Sequence, residues 1–91
     1  MTPRLQARIG ADFDAATAAL VVERLGRLVL PLAEKQSLER IQAAIVVVGA
    51  GDLERLEGAA RLAETDWRDV LVAAQLADGD WPTRLDELLG P

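Results

Sequence analysis

The 91-residue chain has no cysteine, no histidine and no tyrosine. Without cysteine there is no disulfide framework and no thiolate chemistry. Without histidine the commonest general base and the commonest metal ligand are both missing. Aromatic residues are limited to Phe13, Trp67 and Trp81, so packing falls to alanine, leucine and valine. No apolar run is long. Residues 15–22 are apolar, but Glu23, Arg24 and Arg27 follow at once. The run is too short to span a membrane and has no signal-peptide layout. The expectation is a cytoplasmic protein that is not an enzyme, with no catalytic, metal-binding or cofactor-binding residues.

Ninety-one residues make one domain, with a radius of gyration of about 12 Å if compact. Hydrophobic residues are 51% of the chain, enough to build a core and to exclude intrinsic disorder. The net charge of −5 disfavours non-specific binding to nucleic acid or to an anionic membrane. The expected partners therefore include neither. Nine of the ten basic residues are arginine, the bias a GC-rich bacterial genome produces.

The most hydrophobic stretch is 42–51. Its segment Ile45-Val46-Val47-Val48-Gly49-Ala50-Gly51 resembles the first strand and glycine turn of a dinucleotide-binding fold, where glycines bring the backbone close to a pyrophosphate. The resemblance ends there. The third small residue of G-x-G-x-x-G falls at Glu54, whose carboxylate would repel phosphate. No second strand follows to carry an acidic ribose ligand. A buried helix fits better. Ser37 is a good N-cap, and Leu38, Ile41, Ile45 and Val48 share one helical face. Gly49 and Gly51 act as stop signals. Val46 and Val47 fall off that face, as in a helix buried on several sides.

Elsewhere, residues 1–11 read as a loosely ordered lead-in broken by Pro3 and Gly10. Asp12 or Asp14 caps a helix over 15–29 with a stripe of Ala18, Val21, Val22, Leu25, Leu28 and Val29. Glu23–Arg27 pair on its outer side, Gly26 permits a close helix crossing, and Pro31 ends it. A solvated connection with Glu34 and Lys35 covers 32–36, and the central helix covers 38–48. Asp52-Leu53, Asp66-Trp67 and Asp80-Trp81 recur every 14 residues, each aspartate placed to cap a helix. They predict helices over 53–64, 67–77 and 81–89. Leu53, Leu56, Ala59, Ala60 and Ala63 face inward in the first, Trp67, Val70, Leu71 and Ala74 in the second, and Trp81, Leu85, Leu88 and Leu89 in the third.

Polar motifs carry little chemistry. Asp78-Gly79-Asp80 fails as a calcium loop, because Pro82, Thr83 and Leu89 stand where a ligand, the turn glycine and a bidentate glutamate belong. The helices over 53–64 and 67–77 have helix-turn-helix spacing, but Arg68 and Gln75 are set against Asp66 and Asp69. The carboxylates of Glu54, Glu57, Glu64, Asp69, Asp86 and Glu87 read as solvated helix faces, and the two tryptophans as core anchors. Asp66-Trp67-Arg68 resembles a short stretch of death-domain proteins. Residues 65–89 resemble small uncharacterised bacterial all-helical proteins, a likeness that implies a fold and no activity.

The sequence thus predicts an all-α protein, a compact bundle of four to five short helices. Leu20, Val46, Val47, Leu62, Val72 and Leu76 lie off the expected inner faces. A small domain has trouble hiding them all, and large exposed apolar patches mark partner surfaces. The expected function is a small acidic protein-interaction module, self-associating as a homodimer or binding another protein, with no cofactor. The alternatives are a helical carrier of a small apolar ligand and a transcription-associated helix-turn-helix-like protein.

Overall fold

Five of the six helices among the described residues begin on a side chain that accepts a hydrogen bond from their own first turn. A computed structural model describes residues 1–30 and 37–90. The helices are α1 (Pro3–Asp12), α2 (Ala15–Gly26), α3 (Leu38–Gly49), α4 (Leu53–Thr65), α5 (Trp67–Ala73) and α6 (Trp81–Leu89). Thr2, Asp14, Ser37, Asp52 and Asp66 cap the first five, each satisfying an otherwise orphaned backbone N–H. Asp80 breaks the 14-residue pattern and makes no capping bond to α6. Its backbone, at φ −89° and ψ 15°, lacks the extended geometry of a good N-cap.

The all-helical class is as the sequence predicts, with six helices rather than four or five. The Cα radius of gyration is 11.8 Å. Helix α3 lies at the centre, packed most extensively on α4 and α5, while α1 joins α2, α3 and α6. Ile41, Ala44, Ile45 and Val46 of α3 are fully buried against Leu56 and Ala60 of α4 and Val70 and Leu71 of α5. The dinucleotide-like segment is therefore helical. Val46, expected on an outer surface, is in the core, because α3 has neighbours on nearly every side.

Residues 1–11 are not a loose lead-in. Pro3 opens α1 in its first turn, where the missing N–H is harmless. Leu5 and Ile9, one turn apart, are completely buried. Arg4 of α1 binds Glu39 of α3 through Nε and Nη2 at 3.0 and 2.7 Å. Its Nη1 donates to Asp86 of α6 and, at 2.9 Å, to the Gly90 carbonyl. Arg8 adds a bond to the Leu88 carbonyl at 2.9 Å.

Three helix ends differ from expectation. Helix α2 stops at Gly26, not at residue 29. The Val29 N–H donates to the Glu64 carboxylate at 3.0 Å, so a side chain satisfies it in place of a further helical turn, and the Val29 side chain is exposed. No described atom from elsewhere in the fold stands within 4 Å of a Cβ on Gly26, so no described helix crosses closely there. Helix α5 stops at Ala73. Gln75 takes the left-handed conformation, φ 60°. Its N–H reaches the Val72 carbonyl, and the Leu76 N–H reaches the Leu71 carbonyl at 2.8 Å, which is a Schellman closure. That closure turns Leu76 into the core, so it too is completely buried rather than outward-facing. At the end of α3 the left-handed residue is Ala50. Gly49 is the last helical residue, and a Cβ there would stand 2.9 Å from the Leu56 Cβ, so it permits close α3–α4 packing. The connection over 32–36, including Glu34 and Lys35, and the stop at Pro31 lie outside the described residues.

Candidate interaction surface

Helices α2 and α4 leave an open groove of about 830 Å³ between them. On the α2 side it is lined by Leu20, Arg24 and the C-cap residue Arg27, spaced four and three residues apart and hence in one stripe. On α4 the stripe is Glu54, Gly58 and Arg61, with Leu53 and Glu57 beside it. Leu20 is 52% exposed and Leu53 38%. Leu53 starts α4 on the flank toward α2 rather than over the core, which is why its expected inward position does not hold. Leu38, also expected inside, is exposed at the start of α3.

Arg24 holds the groove together. It donates from Nε to Glu57 at 2.7 Å and from Nη2 to Glu64 at 2.7 Å. These bonds hold the Glu57 and Glu64 carboxyls below the usual glutamate range, and the Val29 N–H adds to the effect at Glu64. The same pairing raises Arg24. Arg61 makes a weaker, exposed contact to Glu57 at 3.3 Å. Sequence periodicity places Arg24 on an outer face and pairs Glu23 with Arg27. The structure instead turns Arg24 onto α4, and no Glu23–Arg27 ion pair occurs among the described ones.

Gly58 is the residue that sequence reasoning missed. It stands within α4, faces the groove, and has no described atom within 4 Å of where its Cβ would be. A glycine inside a helix costs about 1 kcal/mol relative to alanine, and here no packing by a described residue offsets it. Its signal in the sequence is a lone glycine among good helix formers, from Leu53 to Thr65.

The residues singled out from the sequence do not form one patch. Leu20 lies in the groove. Leu62, 37% exposed, is one turn beyond Gly58 on α4. Val72, 65% exposed, is on α5, beside a separate shallow hollow where Arg84 donates to Gln75 at 3.0 Å. Val47 is half-buried against the core, and Val46 and Leu76 are inside it. Trp67 and Trp81 are half-buried and pack on the core. The Arg40 guanidinium sits over the Trp81 ring, 4.6 Å from its centre, and Arg40 Nε donates to the Leu76 carbonyl at 2.8 Å. Burial pushes the Arg40 pKa down.

Among the described residues no cluster of three potential metal-ligating side chains occurs, and no helix is long and apolar enough to cross a membrane. Comparison with known proteins finds no matching family model, no matching curated protein and no matching solved structure.

Proposed function

We propose that the chain is a small protein-interaction module whose working surface is the α2–α4 groove. The observation that supports this reading is the exposure of Leu20 and Leu53 together in that groove. Fully burying an exposed leucine gains roughly 1.5–3 kcal/mol, and covering the exposed part of Leu20 and Leu53 gains a fraction of that for each, so two leucines in one concavity favour an apolar partner. The mixed arginines and glutamates around them form a polar border of the kind that rims protein interfaces.

The absence of cysteine makes a direct test simple. Leu20→Cys, Leu53→Cys and, as a control on exposed α1, Gln6→Cys would each carry a photocrosslinker. The reading predicts protein adducts from positions 20 and 53 that unlabelled wild type competes away and Leu53→Glu does not. Adducts no stronger than those from position 6 would end it.

A second reading is a carrier of a small apolar ligand. The groove volume lies in the range of ligand pockets, but its open form and charged border give such a ligand little enclosure. Native mass spectrometry of gently purified protein separates the two, since a carrier keeps an extra bound mass.

A further inference from the structure

The geometry points to a second copy of this chain as the occupant of the groove, docked so that two α4 helices cross antiparallel at Gly58 on a twofold axis. This rests on the interaction reading above and names its partner. Three observations carry it.

The first is Gly58 itself. Glycine is among the poorest helix formers, and at Gly49 the missing side chain is used by Leu56, whereas at Gly58 no described residue elsewhere in the fold uses the space. A close helix approach from outside would.

The second is the order of side chains along α4. Leu53 and Glu54 precede Gly58, and Arg61 and Leu62 follow it. In an antiparallel crossing centred on Gly58, residues before it meet residues after it on the other helix. The acidic Glu54 end of one copy therefore faces the basic Arg61 end of the other. Glu54 meets Arg61 along the flank of α4 that lines the groove. The surface is self-complementary, as a twofold interface must be.

The third is charge. The chain carries −5 overall, yet the groove has as many arginines as glutamates: Arg24, Arg27 and Arg61 against Glu23, Glu54 and Glu57. A strongly basic partner would gain little from this neutral strip. Another acidic copy meets no net like charge at this strip.

The test is analytical ultracentrifugation of wild type, Glu54→Arg, Arg61→Glu and an equimolar mixture of the two variants. Circular dichroism first confirms that each variant folds. Wild type should form a concentration-dependent dimer. Each variant alone places like charges opposite each other and should weaken dimerisation at least tenfold. The mixture restores opposite charges at both contacts and should recover the wild-type dissociation constant as a heterodimer. Gly58→Ala should weaken the dimer at least tenfold while raising the melting temperature of the monomer, a combination that a purely internal role for Gly58 does not give. Wild type that stays monomeric to about 1 mM, an assembly other than a dimer, or a variant mixture that stays dissociated would each overturn the proposal. If wild type is monomeric but positions 20 and 53 still crosslink specifically to a different protein, the second copy is wrong and the interaction module stands. If they crosslink to nothing, both fall.

Discussion

Gly49 and Leu56 are in such close contact that the position of a Cβ on the first lies 2.9 Å from the Cβ of the second and 3.2 Å from its Cα. The neighbour is partly backbone and cannot swing aside. Gly49→Ala should therefore destabilise the fold by about 1–3 kcal/mol through overpacking, even though alanine is the better helix former. Gly10→Ala on exposed α1, where no described atom lies within 4 Å, should instead stabilise by up to about 1 kcal/mol. Urea midpoints at constant slope measure both. Two changes of the same sign would contradict the α3–α4 contact.

Ala50 ends α3 at φ 49°, ψ 41°, a conformation that crowds its Cβ. The side chain is exposed, so little packing is lost by removing it. Ala50→Gly should stabilise by about 0.5–1 kcal/mol, the relief of strain exceeding the added freedom of the unfolded chain. Ala50→Val should destabilise. Thermal unfolding of the pair reads the opposite shifts, and equal melting temperatures would argue against a left-handed residue there.

Acid should loosen the α2–α4 contact. Arg24 holds Glu57 and Glu64 below the ordinary glutamate value of 4.5. Groups with lowered folded-state pKa values stabilise fully above that ordinary value. The contribution is lost as pH falls through the lowered values. Wild type should thus lose stability progressively below about pH 5. Arg24→Gln should lower stability at pH 7, by on the order of 1 kcal/mol for this partly exposed network, and flatten the acid dependence. Some slope remains from Glu39, held down by Arg4, from Asp14, held down by its capping bond to the Thr17 N–H, and from Asp66, held down by the Arg68 side chain and then by its capping bond. Melting temperatures between pH 7 and pH 3 give the comparison. An unchanged slope in the variant would remove Arg24 as the cause.

Arg40 supplies a donor to the Leu76 carbonyl and a cation to the Trp81 ring. Arg40→Met keeps an extended side chain but removes both. It should cost about 1–3 kcal/mol, chiefly because a buried carbonyl loses its donor. Trp81→Phe, which retains an aromatic face, should cost less of the cation–π part than Trp81→Leu. Chemical denaturation of the three variants ranks them. A near-neutral Arg40→Met would mean that water replaces the lost donor.

The parts of the fold that were legible are those written in local chemistry. Asp14, Ser37, Asp52 and Asp66 announce helix starts because capping depends on the side chain at one position. The buried face of α4, with Leu56, Ala59, Ala60 and Ala63, follows from its spacing. Helix α1 was also written there, in Leu5 and Ile9, but Pro3 reads as a breaker unless placed in the first turn. Leu76 was not legible. Its burial depends on Gln75 adopting a conformation usually taken by glycine or asparagine, and a helix extended by periodicity to residue 77 turns Leu76 outward. The groove was illegible for a tertiary reason. Nothing local says which flank of α4 meets α2, so the exposure of Leu20 and Leu53 in one groove, and the side of Gly58 that no described residue fills, emerge only when the two helices are set together.

The bonds of Arg4 have a consequence for the order in which the molecule assembles during synthesis. Its partners lie far downstream, 35 positions away at Glu39 and 82 at Asp86. Helices α3, α4 and α5 are consecutive and can dock on one another as they leave the ribosome. Helix α1 is made before all of these, yet its contacts with α6 wait until α6 has been translated. The seam between α1 and α6 is thus the last to close.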